Sequence, residues 1–553
     1  MAENDTIIRK SSMKINKVKI QNYKCFKELS FELNDGLNIL VGDNEAGKST
    51  ILEAIYLALT TNLGGKSIKN ALSQYLFNTE CIDEFISSLK SPIHLEPPTI
   101  MIELYLEDKC IPAFMGNGNS EHCNATGIVF KIEFDEDYRA DYSALLQLKG
   151  NDFSLPIEFY KVTWKSFARE SITPFKQVLK AAFIDSSSAY YPNGSDIFIS
   201  RIIKDELDAK EKMLITQAYR LLNDSFGAAD VINEINTKLQ RKTHITEKKI
   251  KLNIDLSSAN AWEYALITYL DNIPFTQIGK GEQCIIKTNL ALEHKKTQEA
   301  NIILIEEPEN HLSHAKLNEL LKYINDGCDN KQIIITSHSS FVCNKLGLEH
   351  LILLNAGKIM HLSLLEKTTY QYFKKLAGYD TLRLLLCKKA VLVEGDSDEL
   401  IFQKAYMTKN NGHLPIQDGI DVISVGLSFL RFLEIASKIN KEVAVLTDND
   451  GDYDNNVTQK YTDYSNQRNI RIFADDRNHL NTLEPQFAEN YKENLEDLKS
   501  LIGIVQKKRF SNLESIIIHM KNDKPGWAIS VFESKLEVIF PKYILNAVEW
   551  CNE

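Results

Sequence analysis

The chain has 553 residues, a formal net charge of −11, and a composition that is 44% hydrophobic and 25% charged. This length exceeds what a single hydrophobic core normally serves, so roughly two to four domains are expected. The sequence contains no apolar run of about 18 residues and no apolar signal core after Met1, which argues against a membrane protein or a secreted one. The 9 cysteines form no CxxC pair, so neither a zinc ribbon nor a disulfide framework is expected, and a reducing cytoplasm is the expected compartment.

The chain is acidic overall, but it contains two short clusters of basic residues. Affinity for nucleic acid depends on locally clustered Lys and Arg rather than on net charge. A solvated helix face is the simpler explanation of both clusters. Their members are Lys238, Arg241, Lys242, Lys248, Lys249 and Lys251, and the run Lys507, Lys508 and Arg509.

Alternating apolar and polar residues predict strands through the first part of the chain. They fall at 13–26, 31–33 and 37–41, and a helix is predicted over 50–59. Further alternating stretches at 99–106, 127–134 and 155–160 predict an antiparallel sheet.

The pattern changes to helical from about 199 to 242. Leu207, Leu214, Ala218, Leu221 and Leu222 recur on one face at a period near 3.6 residues. Such an inserted segment serves either assembly or ordinary core packing, and the sequence leaves both open.

Strands typical of a parallel sheet follow at 302–305, 333–336 and 351–354, and a new strand–helix series begins near residue 390. Strands at 421–425 and 443–447 continue it. We therefore predict an α/β protein with two domains, at 1–375 and 376–553, and a helical insertion at about 199–250 in the first.

A phosphate-binding loop lies between a predicted strand and a predicted helix. The segment Gly-Asp-Asn-Glu-Ala-Gly-Lys-Ser at 42–49 satisfies GxxxxGK[ST] in that context. Its backbone N–H groups and the helix N-terminus favour a polyphosphate. Lys48 is expected to reach the β- and γ-phosphates, and Ser49 to bind Mg2+. The predicted ATP-binding residues here are Gly42, Asn44, Gly47, Lys48, Ser49 and Thr50.

An apolar strand at 302–305 ends in Glu306 and Glu307. The first carboxylate is expected to hold Mg2+ through water, and the second to polarise the attacking water as a general base. Another strand ends at His338, which is placed to sense the γ-phosphate, although a histidine after a strand is more often structural.

The segment Gln-Ile-Gly-Lys-Gly-Glu-Gln at 277–283 precedes a predicted helix upstream of Glu306. The order of P-loop, signature, acidic strand and histidine resembles the ABC ATPase family over about 13–360. The resemblance implies that Gly279, Gly281, Glu282 and Gln283 cap ATP bound on another subunit. The signature departs from Ser-Gly-Gly-Gln, and Glu306 stands where aspartate is usual.

Two further acidic segments follow predicted strands: Glu-Gly-Asp-Ser-Asp at 394–398 and Asp-Asn-Asp-Gly-Asp at 448–452. Parallel strand ends bring such carboxylates together, and hard oxygen ligands bind Mg2+ or Mn2+. The alternative for 448–452 is a solvated turn, since Asn-Asp-Gly favours turns. The candidate metal ligands are Glu394, Asp398, Asp448, Asp450 and Asp452, of which Asp398 and Asp452 have shaping the site as their alternative role.

These segments resemble the Toprim fold of topoisomerases, primases and nucleases. An ABC-type ATPase followed by Toprim resembles the overcoming-lysogenization-defect (OLD) family of nucleases. That resemblance implies Glu484 as a further metal ligand and Lys524, three residues before Trp527-Ala528, as the group that stabilises charge at the scissile phosphate. It implies catalysis by Glu394, Asp448 and Asp450, with ATP, Mg2+ at the ATPase site, and two Mg2+ or Mn2+ ions at the nuclease site.

The favoured hypothesis is an ATP-regulated, metal-dependent DNA endonuclease. The alternative is a recombination-type DNA-binding ATPase whose C-terminal domain recruits a partner without cutting. A topoisomerase is disfavoured because nothing marks a nucleophile among the 22 tyrosines. A primase is disfavoured because it would usually contain a zinc-binding cysteine cluster, which this sequence lacks. A transporter ATPase is disfavoured because it would not carry the second acidic centre. A long-armed repair ATPase is disfavoured because it would need a long coiled coil, and the sequence has no long heptad repeat. The family resemblance further implies a homodimer or larger assembly, a role in anti-phage defence, and in some members an operon partner such as a helicase or a retron.

Overall fold

The computed structural model describes residues 13–42, 45–89, 94–107, 111–148, 154–173, 179–185, 202–204, 206–242, 252, 262, 267–310, 312–327, 331–355, 357–361, 365–375, 379–504 and 510–553. Contacts divide the chain into two compact units. Unit 1 contains Val178–Ile333, and unit 2 contains Met13–Gln177 and Ile334–Glu553. This division does not follow the predicted boundary at 375/376, which stays a prediction.

The N-terminal part of unit 2 contains an antiparallel sheet with a helix packed against it, and also a strand, Leu37–Gly42, that belongs to another sheet. Its elements are β1 (Ile15–Tyr23), β2 (Phe26–Glu32), β3 (Leu37–Gly42), α1 (Lys48–Thr60), β4 (Asn62–Leu63), β5 (Lys66–Ser67), α2 (Ile68–Ala71), α3 (Thr79–Ser88), β6 (Ile100–Leu106), β7 (Met115–Gly116), β8 (Ala125–Phe134), α4 (Arg139–Leu148) and β9 (Tyr160–Ser166). The strand order is β2-β1-β6-β8, with β7 and β9 both pairing with β8. Helix α1 contacts β6 and β8, and the indole N–H of Trp164 donates to the carbonyl of Ala58 at 2.8 Å.

The strand predicted at 155–160 is wrong in position. Residues Ile157–Phe159 form a 3-10 turn, and the strand begins at Tyr160. Pro156, which precedes the turn, has no N–H to donate to a neighbouring strand, so pairing starts only after it. The strands predicted at 99–106 and 127–134 and the helix at 50–59 are confirmed within a residue or two.

Unit 1 contains β10 (Ala181–Asp185), α5 (Ala209–Ala228), α6 (Asp230–Lys242), β11 (Tyr269–Leu270), β12 (Ile273–Pro274), α7 (Lys280–Glu293), α8 (Lys295–Gln298), β13 (Ile302–Glu306) and α9 (His314–Gly327). Strands β10 and β13 are parallel, with Asp185 opposite Glu306. Helix α5 begins with a capping box in which Asp208 and Glu211 exchange hydrogen bonds. The predicted helical insertion is therefore present over the described part of 199–250.

The rest of the chain begins with β14 (Gln332–Ser337), α10 (Ser340–Leu346), β15 (Leu351–Asn355), β16 (Lys358–His361), α11 (Lys367–Lys375) and α12 (Tyr379–Leu386). Strand β3 lies between β14 and β15, and β16 forms the edge. Strand β15 runs parallel to β3, with Leu354 opposite Gly42.

A second, fully parallel sheet follows in unit 2. Its elements are β17 (Lys389–Val393), α13 (Asp396–Lys409), β18 (Ile420–Ser424), α14 (Phe429–Ile439), β19 (Glu442–Leu446), a π-helical turn (Asp454–Gln459), α15 (Thr462–Ser465) and β20 (Ile470–Phe473). The order is β18-β17-β19-β20. Strand β17 pairs with β19 with Leu392 opposite Val445, so Glu394 and Asp448 follow neighbouring strands at the same edge of the sheet.

Helices α16 (Leu483–Glu489), α17 (Leu495–Leu501), α18 (Leu513–Asn522), α19 (Lys524–Glu533) and α20 (Lys542–Asn552) complete the fold. Helix α13 packs against α19 and α20. Trp527 and Phe487 lie in the core they share with β17 and β19, with ring centroids 5.2 Å apart. This core fixes the helical segments that carry Glu484 and Lys524 to the parallel sheet.

Candidate nucleotide and carboxylate sites

The predicted P-loop joins β3 to α1 in unit 2. A Cβ at Gly42 would lie 2.3 Å from the carbonyl oxygen of Leu354, so only glycine fits where β15 passes. Gly47 has φ of 91°, in the left-handed region, and caps α1. Lys48 is 3% exposed, and its Nζ donates to the carbonyl of Gly42 at 2.8 Å. The lysine thus lies along the inside of the loop.

Ser49 and Thr50 occupy the first turn of α1, directly after the loop. Their roles in binding phosphate and Mg2+ stay predictions. Asn44 lies outside the described residues. His338 follows β14 in the same unit and is half-buried.

The acidic pair lies in unit 1, at the end of the buried strand β13. Glu307 has φ of 40°, which places it in the left-handed region. Its Oε2 accepts a hydrogen bond from Asn310 Nδ2 at 2.9 Å. Glu306 closes the strand itself. Their roles in ATP hydrolysis stay predictions.

The signature segment is also in unit 1, at the start of α7. Gly279 caps the helix and, with Glu282, is exposed, whereas Gly281 is partly exposed. Gln283 is 4% exposed, and its Nε2 donates to the carbonyl of Ile278 at 2.9 Å. Gln283 therefore fixes its own turn, while Gly279 and Glu282 face solvent.

The carboxylate centre is built where β17 and β19 end. Glu394 follows β17 directly, and Asp398 lies in the first turn of α13, where its Oδ2 accepts the N–H of Gly395 at 3.1 Å. Asp448 and Asp450 follow β19. The parallel register thus brings together residues more than fifty positions apart in the sequence.

Burial and mutual repulsion act strongly on these groups. Burial, with Asp398 and Glu394 as the nearest charges, raises the pKa of Asp448 to about 8. Burial and the charge of Glu394 raise the pKa of Asp398 to about 7. Burial and Asp450 likewise raise the pKa of Glu394. Such clustered, shifted carboxylates are typical of a functional site.

Glu484 and Lys524, which only the family resemblance suggested, also lie in this centre. Glu484 is 2% exposed and its Oε2 accepts from Thr482 Oγ1 at 2.7 Å. Lys524 Nζ is 3.4 Å from Glu484 Oε1. Burial lowers the pKa of Lys524, but Glu484, Asp448 and Asp398 outweigh it and raise that pKa. The ammonium therefore faces the cluster.

Asp452 is placed differently. Its carboxylate accepts hydrogen bonds from Asn455, from Nδ2 at 2.6 Å and from the backbone N–H at 3.1 Å. These bonds lower the pKa of Asp452. The side chain thus caps the π-helical turn, in line with its alternative role of shaping the site, and its membership of the metal ligands stays a prediction.

Asn449 is a functional residue that the sequence did not reveal. It is fully buried between the two aspartates, and its Nδ2 donates to the carbonyls of Asp475, Arg477 and Leu480 at 2.8, 3.2 and 3.2 Å. Its Oδ1 accepts from the N–H of Gly451 at 2.8 Å. It holds the loop in which Asp450 adopts φ of 48°. The only sequence signal was an amide between two metal-type carboxylates.

The donor chemistry fits a divalent cation. Hard carboxylate oxygens are what Mg2+ and Mn2+ prefer, and a cation would offset the repulsion that raises the pKa of Asp448. Among the residues that the structure describes, however, no three His, Cys, Asp or Glu side chains converge closely enough to hold an ion between them. Glu394, Asp398, Asp448, Asp450 and Glu484 would hold it after small side-chain movements.

Comparisons with known proteins assign both parts of the chain. A family model described as an AAA ATPase domain matches residues 13–343, and one described as the overcoming lysogenization defect protein-like TOPRIM domain matches residues 385–450. The chain is 36% identical over 75 residues to the DNA replication and repair protein RecF of Vibrio cholerae serotype O1, covering 13% of this chain and 19% of that protein. With RecF of Staphylococcus haemolyticus it is 23% identical over 286 residues, covering 49% of this chain and 65% of that protein.

The match to the first of these curated relatives spans about a fifth of that relative's length. Two solved structures resemble the fold at low scores. The SMC head domain from Thermotoga maritima has a TM-score of 0.30 at 12% identity, covering 63% of this chain and 98% of that one. The RecF-ATPrS structure has a TM-score of 0.32 at 12% identity, covering 64% and 99%. In the described part of the chain, no helix is both long and apolar enough to cross a membrane.

Proposed function

The chain belongs to the AAA ATPase domain family and carries an OLD-like TOPRIM domain behind it, and from this premise we propose that it is an ATP-binding and ATP-hydrolysing, divalent-metal-dependent DNA endonuclease. ATPase and TOPRIM domains in one chain support an ATP-dependent nuclease. The finer proposal, DNA cleavage with Mg2+ or Mn2+, depends mainly on one observation. Partly buried carboxylates that follow neighbouring parallel strands lie near one another and beside an ammonium group at one edge of the second sheet.

Metal ions at such a centre supply a polarised water and stabilise the charge on the attacking and leaving oxygens of a phosphodiester. Glu394, Asp398, Asp448, Asp450 and Glu484 would hold them, and Asp398 also accepts the N–H of Gly395 at the start of α13. Lys524, which is 58% exposed at its side chain, reaches over the cluster and would donate to the scissile phosphate as its charge grows. Asn449 would keep the aspartates in place during the reaction.

The direct test is a cleavage assay on supercoiled plasmid with Mg2+ or Mn2+, with and without ATP. Glu394→Gln and Asp448→Asn should abolish nicking and linearisation, and EDTA should do the same to the wild type. The matched control is Glu442→Gln, because Glu442 is an exposed carboxylate at the opposite end of β19. Retained cleavage in Asp448→Asn would show that the C-terminal domain does not cut.

We further propose that ATP controls DNA access, since hydrolysis of a phosphodiester needs no coupled energy. A chain of contacts within unit 2 supports this. Strand β15 pairs with the P-loop strand, Leu354 opposite Gly42. The next residue, Asn355, donates from Nδ2 to the carbonyl of Ile439, the last residue of α14, at 3.0 Å.

Helix α14 continues this contact chain to the carboxylate centre. Phe373 packs on Phe432 with centroids 5.2 Å apart, and Arg431 lies 4.1 Å from the ring centroid of Tyr372. At its other end, Phe429 packs edge-on against Tyr461, which lies near Glu394. A contiguous path is necessary for this kind of control and does not establish it.

Asn355→Ala should therefore reduce the effect of ATP on plasmid cleavage without changing cleavage in the absence of nucleotide. The control is Asn469→Ala, since Asn469 Nδ2 donates to the carbonyl of Ala436 in the same helix at 3.3 Å, but from the side of the second sheet. Glu307→Gln should trap ATP. If the trapped state cleaves DNA as the nucleotide-free protein does, ATP control is wrong.

The alternative function is a recombination-type ATPase whose C-terminal domain recruits a partner, which the partial similarity to RecF favours. It predicts DNA binding with no cleavage under any metal.

We also propose a homodimer or larger assembly, a role in anti-phage defence, and an operon-encoded partner such as a helicase or retron component. A plaque assay on cells expressing the wild type or Glu394→Gln tests the defence role, since only the wild type should lower plating efficiency.

A further inference from the structure

Lys460 is a second cation beside the carboxylate centre, and neither its sequence context nor the family resemblance marked it. It follows the π-helical turn Asp454–Gln459, a backbone form that is rare and often found at functional sites. The turn is tied to the aspartate loop, because Asn456 Nδ2 donates to the carbonyl of Asn449 at 3.0 Å. Val457 is buried beneath it. The position of Lys460 is thus fixed relative to Asp448 and Asp450.

Two aromatic rings hold the side chain of Lys460. Its Nζ lies 5.6 Å from the ring centroid of Phe429 and 5.2 Å from that of Tyr461. The two rings are perpendicular, with centroids 6.4 Å apart, and are at most 1% exposed. Ring faces attract an ammonium without neutralising it. The rings therefore orient the ammonium group of Lys460.

The ammonium group of Lys460 is also available to a ligand. Within the described part of the chain its Nζ forms neither an ion pair nor a hydrogen bond, and only its backbone N–H donates, to the carbonyl of Val457. Lys524 differs, because its Nζ is already 3.4 Å from Glu484 Oε1. Both ammonium groups act on Glu394 and favour its ionised form. Lys460 is therefore a second cation of this centre, beside Lys524, that is available to an incoming anion.

An anion must approach this centre against a strong negative field. Glu394, Asp398, Asp448, Asp450 and Glu484 surround it, and a DNA phosphate adds a further negative charge. We propose that Lys460 binds a backbone phosphate of the DNA strand that enters the carboxylate centre. This inference rests on the proposed nuclease function and adds the residue that brings the strand to it. The aromatic rings orient the ammonium beside the centre, where it also acts on Glu394.

DNA binding and cleavage must be measured separately. Binding is followed by fluorescence anisotropy of a labelled duplex, with Ca2+ in place of Mg2+, over a series of NaCl concentrations. Cleavage of the same duplex with Mg2+ gives KM and kcat. The variants are Lys460→Met, which keeps the length of the side chain, and Lys460→Arg, which keeps its charge. Lys409→Met is the control, an exposed lysine at the far end of α13, roughly 20 Å along the helix from Glu394.

Lys460→Met should raise the Kd for DNA about tenfold and lower the slope of log Kd against log salt by about one, the value for one lost phosphate contact. KM should rise more than kcat falls, Lys460→Arg should be close to wild type, and Lys409→Met should be unchanged. Unchanged Kd and slope in Lys460→Met overturn the inference. The inference is also overturned if Lys460→Met and Lys460→Arg weaken DNA binding equally and both lower the melting temperature, because that result indicates a purely structural lysine.

Failure of the proposed function gives a different result. If the wild type never cleaves with Mg2+ or Mn2+ while Lys460→Met still weakens binding, the nuclease function is overturned and Lys460 remains a DNA contact. If the wild type cleaves and Lys460→Met binds as the wild type does, only the inference about Lys460 is overturned.

Discussion

Replacing Asp448 with asparagine should stabilise the metal-free protein at high pH. Burial and the neighbouring carboxylates raise the pKa of Asp448 from 3.8 to about 8. Between these values the folded chain binds a proton that the unfolded chain has lost. The contribution of Asp448 to the free energy of unfolding therefore falls as the pH rises from about 4 to about 8, and this contribution is constant at higher pH. Asp448→Asn removes this dependence because the amide does not ionise.

The size of the effect follows from the same values. The pKa of Asp448 is 3.8 in the unfolded chain and about 8 in the folded chain. At a pH above 8 this difference corresponds to a loss of roughly 6 kcal/mol in the free energy of unfolding. A buried amide in the same place lacks some of its partners, which costs about 1–3 kcal/mol. We therefore expect Asp448→Asn to be more stable than the wild type by roughly 3 kcal/mol at pH 9 in EDTA. At pH 5 the two should be about equal, since the ionisation cost there is under roughly 2 kcal/mol.

Urea unfolding followed by tryptophan fluorescence measures this difference. Trp164→Phe and Trp262→Phe leave Trp527 and Trp550 as the emitting residues, and Trp527 lies in the core beside β17 and β19. Mn2+ should reverse the order of stability, because it binds the wild type more tightly. Asp452→Asn is the control, since hydrogen bonds lower the pKa of Asp452 and its loss should bring no gain at high pH. A wild type whose stability in EDTA does not fall between pH 5 and pH 9 would refute the reasoning.

Three further changes test the framework around the sites. Asn449→Ala removes the amide that donates to three carbonyls, of which that of Leu480 keeps a bond from Gln486 Nε2, so we expect a loss of about 1–3 kcal/mol and at least tenfold weaker Mn2+ binding, by calorimetry at a temperature where the variant is folded. Trp527→Ala should cost about 3–5 kcal/mol in the same urea assay because Trp527 is 1% exposed within the core. Leu221→Lys with Leu222→Lys should convert the proposed dimer to a monomer in light scattering without lowering the melting temperature, since these side chains are 66% and 61% exposed.

Those exposed leucines show where sequence patterns reach their limit. The period of Leu214, Leu221 and Leu222 predicted helix α5, but it could not tell whether the face packs inside the chain or remains open, and here it is open. By contrast, the apolar runs near residue 390 and at 443–447 predicted the buried strands β17 and β19. Because parallel strands end at one edge, Glu394 and Asp448 could be placed together from the sequence alone.

The residues that the sequence missed depend on contacts between distant segments. The partners of Asn449 are carbonyls 26 to 31 positions away, and no local pattern specifies them. The position of Lys460 depends on the π-helical turn before it. The sequence pattern did not predict this turn, and its extra residue changes which side chains face the site. Asp452 shows a related limit: Asn455 donates to its carboxylate as a local cap, a contact that the spacing of the carboxylates does not predict, and its role as a metal ligand stays a prediction.

Under the proposed control by ATP, the geometry favours one step over another. Glu394 and Asp448 are fixed by the register of β17 and β19, so moving them apart would break a buried parallel pair. The path from the P-loop strand instead ends at Phe429, which packs against Tyr461 and Lys460. A shift of α14 would therefore move Phe429 and with it the side chain of Lys460, while the backbone of Lys460 and the carboxylates stay in place. ATP should then change the Kd for DNA several-fold and leave the Kd for Mn2+ unaltered, and a nucleotide effect on Mn2+ binding alone would contradict this path.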